Sequence, residues 1–193
     1  EMVDIEVPYD PQRIAILDMP ALDIVDALGV GDRIVGSAKV TIEYLTEYNP
    51  EDSEGKIMNL GTVKTADLEK VAACEPDVIF IGGRLASVYA DLEAIAPVVY
   101  LGVDYEKGIV ESTKNNAKTI ASMFGKEADV DAMFTDFQPR MDALKEVLNG
   151  KISIDNHFFF IEIDVPDTIP PEVALKLFKI YRSKNFSFSS LKQ

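Results

Sequence analysis

Short apolar runs alternate with stretches of helical periodicity along most of the chain. The first run, Arg13-Ile14-Ala15-Ile16-Leu17, suits a strand buried on both faces. Asp18 follows as an N-cap and Pro20 falls near a helix start; Leu22, Val25 and Leu28 then recur at three-residue spacing until Gly29 supplies a left-handed C-terminal cap. Residues 33–36 read as a second strand. After a polar stretch, Ile57-Met58-Asn59-Leu60 reads as a third, which Gly61 ends. Thr65 is expected to cap the next helix, with Asp67 and Glu69 in its first turn, Leu68, Val71 and Ala72 on its inner face and Pro76 closing it. Asp77-Val78-Ile79-Phe80-Ile81 is the clearest strand of the sequence. Gly82-Gly83-Arg84 and a helix over 87–96 follow it, and residues 98–101 repeat the strand. Two long helical patterns come next: 107–124, ended by Gly125, and 128–148, ended near Gly150. The second carries an apolar stripe of Met133, Phe137, Met141, Leu144 and Leu148, interrupted by Pro139, which is expected to kink or divide it.

Strands alternating with helices predict an α/β fold: an open parallel sheet with flanking helices, a Rossmann-like lobe, followed by a long helix and a short atypical tail. The expected organisation is an N-terminal α/β lobe over 1–126, the long helix over 127–150 and a separate C-terminal segment over 151–193. Composition changes after Lys151. The segment is rich in aromatics, lacks glycine, and reads as one strand-like run, a Pro-rich turn and a helix over 171–182.

A chain of 193 residues with 47% hydrophobic content has enough apolar side chains for a real core. Its net charge of −14 argues against nucleic-acid binding, which needs a concentrated Lys/Arg surface. One cysteine, Cys74, excludes an internal disulfide, and with the single histidine, His157, it cannot build a zinc site of three or four side chains. Cys74 is read as a packed thiol and His157 as a structural imidazole. No nucleophile elbow or phosphate loop is present, and Gly29-Val30-Gly31 follows a helix, so it is a helix stop and not a dinucleotide fingerprint. The chain is therefore expected not to be an enzyme and to carry no cofactor. No stretch reaches the roughly 18 to 20 apolar residues that span a bilayer, and the start, Glu1-Met2-Val3-Asp4, has no signal-peptide pattern.

In an open parallel sheet, ligands bind beyond the carboxyl ends of the strands, where strand-to-helix loops and helix starts converge. The loops expected there are 18–20, 37–41, 61–64, 82–86 and 102–105. Three carry a cation, Lys39, Lys64 and Arg84, a local excess in an acidic chain that suits an anionic ligand. Arg84 is the strongest of the three, because its planar fork bridges two oxygens and the two preceding glycines allow close backbone approach; Lys39 is the weakest. The same residues also fit ordinary surface positions flanking helix starts.

Several stretches resemble one family: residues 11–18, residues 21–30, Leu68-Glu69-Lys70-Val71 leading to Glu75-Pro76-Asp77-Val78-Ile79-Phe80-Ile81, and Gly83-Arg84 followed by Tyr89, Leu92 and Ile95-Ala96-Pro97. Together they are similar to the substrate-binding proteins of ABC importers for iron-siderophores, haem and cobalamin, in which two α/β lobes are joined by one long helix. The ferric catecholate branch resembles the chain most, with a Lys at the start of the helix before the central strand and an Arg just after that strand, positions matched by Lys64 and Arg84. The resemblance implies an extracytoplasmic solute-binding component, periplasmic or lipid-anchored to the outer face of the cell membrane, its export segment removed before this numbering begins. It implies a ferric siderophore as ligand, with iron wrapped by the siderophore and no metal-binding side chain. It also implies a membrane permease as partner, met by acidic residues such as Glu43, Glu47, Glu51, Asp52 and Glu54, and a monomeric state. Haem, through an axial Tyr44, Tyr48, Tyr89 or Tyr105, and cobalamin are the alternative ligands. The family continues into a second α/β lobe, whereas the residues after 150 do not match one; the chain is expected to be truncated, with half the cleft missing and weak or absent binding. A lobe acting as an assembly module is the alternative, with Phe158 to Phe160 and Phe186 to Phe188 covering another subunit.

Overall fold

The computed structural model describes residues 5–147 of the chain. Seven short strands and five helices follow one another: β1 (Ile14–Ile16), α1 (Met19–Ala27), β2 (Ile34–Ser37), β3 (Met58–Asn59), β4 (Gly61–Thr62), β5 (Thr65–Ala66), α2 (Leu68–Ala73), β6 (Val78–Ile81), α3 (Tyr89–Glu93), β7 (Val98–Tyr100), α4 (Ile109–Ser122) and α5 (Glu127–Val147). Among the described residues three short 3₁₀ helices, Gly31–Arg33, Glu43–Tyr48 and Gly83–Val88, fill connections. The chain divides into two compact units, Glu1–Val130 and Asp131–Gln193.

The first unit is built on a five-stranded sheet of order β3-β2-β1-β6-β7, parallel throughout, with β4 and β5 forming a separate antiparallel hairpin. The expected α/β lobe is therefore the fold observed. From β1 the chain steps outward to β2 and β3, then returns to the other side of β1 with β6 and continues to β7. The order reverses between β1 and β6, and at such a switch point the connecting loops diverge and leave a crevice.

Burial explains why these strands lack polar alternation. All residues of β1 and β6 are buried, as expected of strands covered on both faces. Ala15, Leu17, Ile79 and Ile81 pack with Leu60, Val71 of α2, Leu85 and Leu92 of α3. The alternate residues Ile14, Ile16 and Phe80 turn to the opposite face, on which α1 and α4 pack together. Each such side chain contributes about 1.5–3 kcal/mol on burial, so the two central strands anchor the loops that leave their ends.

The local differences from expectation have identifiable causes. Thr65 does not cap α2. It lies in β5, and Asp67 takes the cap, its carboxylate accepting from Lys70 N at 3.2 Å. The hairpin forms because Gly61, at φ +100°, turns the chain sharply and Thr62 Oγ1 accepts from the amides of Lys64 and Thr65 at 3.2 and 3.1 Å. The helix expected over 87–96 is split: the 3₁₀ turn Gly83–Val88 starts directly after Gly82, and α3 follows from Tyr89 to Glu93. Pro139 does not divide the last helix, since α5 runs from Glu127 to Val147 as one element. The expected strand and helix after residue 150, His157 and the phenylalanines of the tail lie outside the described residues.

Candidate functional site

The loops after β1, β2, β3, β6 and β7 all leave the same edge of the parallel sheet. The switch point is lined by the β1–α1 connection on one side and Gly82-Gly83-Arg84 on the other. Asp18 ends the β1 side. Its extended backbone (φ −137°, ψ 126°) precedes α1, and its Oδ2 accepts from Ala21 N at 3.1 Å, the N-cap that its position predicts. The other oxygen, Oδ1, fills the space a Cβ on Gly82 would occupy. Burial is the main influence on this carboxyl and raises its pKa above 3.8, while the Ala21 amide and the positive charge of Arg84 pull the other way.

Arg84 stands in the first turn of the 3₁₀ helix Gly83–Val88 and is exposed. Lys64 is exposed in the β4–β5 turn, three residues ahead of the Asp67 cap instead of at a helix start. Among the described residues, neither Lys64 nor Arg84 forms an ion pair. Lys39 differs: its Nζ lies 3.3 Å from Glu51 Oε1, and both side chains are about half exposed. The loop bearing Lys39 is tied to the hairpin by Lys39 N donating to Gly61 O at 2.9 Å. The fold thus brings Lys39 and the hairpin of Lys64 together on one side of the switch point and sets Arg84 beside Asp18 at it.

A third group on this edge adds to the expected loop 102–105 and Tyr105 one residue not singled out from sequence, Tyr100. Tyr100 ends β7, opposite Ile81 of β6, and is 48% exposed; Val103 and Tyr105, in the loop that follows, are also exposed. That loop is braced from α4. Asn116 Nδ2 donates to the carbonyls of Leu101 and Gly102 at 3.2 and 3.3 Å, and the buried Ser112 Oγ accepts from Asp104 N and donates to Asp104 O, both at 3.0 Å. Strand patterning had absorbed Tyr100 into the core run; the signal for it is its place as the last residue of an edge strand.

Tyr44, Tyr48 and Tyr89 make their contacts elsewhere. Tyr48 donates to Asp26 Oδ1 of α1 at 2.8 Å, and burial followed by Asp26 pushes its phenol well above the ordinary value. Burial and then Asp23 do the same to Tyr44. Tyr89 donates to Glu93 Oε1 at 3.3 Å. Of the four tyrosines considered as axial ligands, Tyr105 stands exposed on the sheet edge, whereas Tyr44 and Tyr48 are held against α1 as protonated phenols. Glu43, Glu47, Glu51, Asp52 and Glu54 are all exposed; Glu51 meets Lys39, and Asp52 accepts from Asn49 Nδ2 at 2.7 Å. Cys74 is buried, donates to Val71 O at 3.1 Å, and has its pKa raised by that burial. Among the described residues, no group of three or more His, Cys, Asp or Glu is placed to hold a metal ion, and no helix is long and apolar enough to cross a membrane.

The edge therefore offers two exposed cations, an exposed glycine, Gly83, beside Arg84, and exposed aromatic rings at Tyr100 and Tyr105. Comparisons with known proteins supply the family. The petrobactin-binding protein YclQ of Bacillus subtilis is 33% identical over 158 residues, 78% of this chain and 48% of that protein, and its crystal structure superposes with a TM-score of 0.68 over 75% of this chain and 50% of its own. The ferric-anguibactin-binding protein FatB of Vibrio anguillarum is 25% identical over 70% of this chain and 42% of its own length. A TroA-like periplasmic binding protein of Xylanimonas cellulosilytica, 33% identical, gives a TM-score of 0.65 over 77% of this chain and 47% of its own. The chain thus spans about half the length of the curated relatives it matches. Residues 14–157 match the periplasmic binding protein family, and the chain belongs to that family.

Proposed function

We propose that this chain is a ligand-binding lobe of the extracytoplasmic solute-binding component of a ferric-siderophore ABC importer. Its cargo is an anionic iron(III) complex of the catecholate class, seated on the sheet edge and paired with Arg84 and Lys64. The observation that carries this reading is the presence, in a chain of net charge −14, of two exposed cations without ion-pair partners among the described residues, both on loops of the switch-point edge. The siderophore-binding relatives support the ligand class. Iron is wrapped by its chelator, so the protein needs no metal-binding side chain and breaks no bond.

The physics is charge recognition with little reorganisation. A unit pair at 4 Å is worth roughly 4 kcal/mol at an effective dielectric of 20, and a trianion collects that gain from more than one cation. Exposure reduces it, since solvent screens each pair. Arg84 suits the closer contact because its guanidinium fork takes two oxygens; Gly82 is buried, its open side taken by Asp18 Oδ1, so the glycine pair serves the packing of the two loops and not ligand approach at Gly82. Lys39 contributes less while Glu51 holds it. In this reading residues 1–126 form the lobe, 127–150 the helix leading out of it, and the exposed acids Glu43, Glu47, Asp52 and Glu54 face the permease.

Isothermal titration of the chain with a ferric tris-catecholate, a ferric hydroxamate, haem and cobalamin tests the proposal. The expected result is saturable binding of the catecholate complex that Arg84→Ala weakens about tenfold, equivalent to 1.4 kcal/mol. Preferential binding of haem or cobalamin, or catecholate binding indifferent to Arg84, overturns it.

A further inference from the structure

We propose that Tyr100 is a specificity-determining residue of this edge: its ring is the wall against which an aryl group of the anionic ferric ligand stacks. The inference rests on the reading of the edge as an anion site and adds a selection between aromatic and aliphatic chelators. Three observations carry it.

The first is position. Tyr100 pairs with Ile81, the residue that leads into Gly82-Gly83-Arg84, so β7 delivers its ring beside the Arg84 loop. The second is the seat of the ring. Its hydroxyl lies 3.3 Å from where a Cβ on Gly83 would stand, and its ring edge lies 2.5 Å from the equivalent point on Gly102. The ring thus spans two positions without side chains, and any substituent at Gly102 would push it away. The third is that the exposure is held in place. Tyr100, Val103 and Tyr105 present 48%, 42% and 60% of their surface to solvent. The loop carrying the last two is nevertheless fixed to α4 through Asn116 and the buried Ser112, and closed by the Lys107–Asp104 ion pair at 3.2 Å. Side chains gathered at the end of β7 and on the braced loop beyond it, next to the exposed Arg84, form a contact surface built before the ligand arrives.

An aryl ring meets the face of a tyrosine by offset stacking, and the phenol hydroxyl adds a donor for a ligand oxygen. An aliphatic hydroxycarboxylate complex of the same charge meets the cations equally well but gains nothing from the ring. Tyr100 therefore discriminates by ring chemistry where Arg84 and Lys64 discriminate by charge.

The test is a pair of titrations of the 193-residue chain with two anionic probes, a ferric tris-catecholate and ferric citrate, for wild type, Tyr100→Ala, Tyr100→Phe and Arg84→Ala. Tyr100→Ala is expected to lose about tenfold in affinity for the catecholate complex and less than about twofold for citrate, while Tyr100→Phe retains most of the wild-type preference because the stacking face remains. Gly102→Ala, which displaces the ring without removing it, should reproduce the selective loss. Catecholate affinity weakened by Arg84→Ala yet unchanged by Tyr100→Ala overturns this inference and leaves the charge reading intact. An equal loss for both probes overturns it as well, since a general collapse of the edge would act that way. If neither ferric complex saturates the wild-type chain, the anion-site reading and this inference fall together.

Discussion

Asp18 and Gly82 share one space at the switch point: the Asp18 Oδ1 stands where a side chain on Gly82 would begin. Two loops from adjacent central strands are thereby locked together, and an acid is built into an edge otherwise suited to anions. That acid is tolerated because its second oxygen caps α1 and Arg84 lies close enough to offset its charge.

Burial makes Asp18 a pH-dependent cost. Its folded-state pKa is raised above 3.8, so the native chain takes up this proton before the unfolded chain does as pH falls. The ionised carboxylate lowers stability above the folded pKa, and the cost is relieved on acidification toward 3.8. Asp18→Asn keeps an acceptor for the Ala21 amide and removes the charge. The variant should match or exceed wild-type stability at neutral pH, with a urea-midpoint advantage that shrinks as pH drops toward 4. It should also bind an anionic ferric complex severalfold more tightly at pH 7. A stability difference constant from pH 4 to 7 would show that the cap, and not the charge, sets the effect.

Gly82→Ala tests the lock itself. The added methyl overlaps Asp18 Oδ1, so the carboxylate must rotate out of its cap. Losing an N-cap costs about 0.5–2 kcal/mol, and in a chain of this size each kcal/mol lowers Tm by about 2–4 °C. In an Asp18→Ala background the same methyl meets no oxygen, and Gly82→Ala should cost far less. Thermal melts of the four proteins form a double-mutant cycle, and additive losses would dissolve the coupling.

The backbone of the lobe was legible because strong local signals agree with the fold. The apolar runs at 13–17 and 77–81 are strands buried on both faces, and Asp18, Gly29 and Gly125 mark helix ends where the sequence places them. The hairpin around Lys64 was missed because two-residue strands carry no periodicity; Thr62 and Gly61 create it through local hydrogen bonds. Arg84 and Lys64 were readable as loop cations. The Lys39–Glu51 pair, the Asp18–Gly82 contact and the Tyr100–Gly83 contact join residues 12, 64 and 17 positions apart, and no single-chain pattern encodes such distances.

Tyr48 and Asp26 fasten the 3₁₀ turn Glu43–Tyr48 to α1. The hydroxyl packs against Gly31, whose missing side chain makes room for it, and donates to Asp26 at 2.8 Å. Tyr48→Phe leaves that acceptor without its partner and should cost about 1–3 kcal/mol. Because the phenol pKa is raised, the bond persists throughout the neutral range, so the loss should be the same at pH 6 and pH 9. Chemical denaturation at the two values checks this, and affinity for an anionic complex, which the proposed site places at the opposite end of α1 from Asp26, should not move.

Glu51 restrains Lys39, and removing that restraint should strengthen the edge. The pair is separated by 3.3 Å with both side chains more than half exposed, so its contribution to folding is small; Glu51→Gln should change stability by less than about 0.5 kcal/mol. The consequence for binding is larger. Lys39 is released next to the hairpin of Lys64, to which its own backbone is already tied through Gly61, and a third cation becomes available to an anionic complex without reordering of the main chain. Affinity for a ferric trianion should rise severalfold, and its dependence on salt should steepen because one more exposed charge takes part. Lys39→Met should accordingly weaken binding little in the wild-type chain and erase the gain in the Glu51→Gln background. Titrations at two ionic strengths decide the matter: an affinity gain in Glu51→Gln that survives Lys39→Met would mean that the lost carboxylate acts through the overall field and not through Lys39.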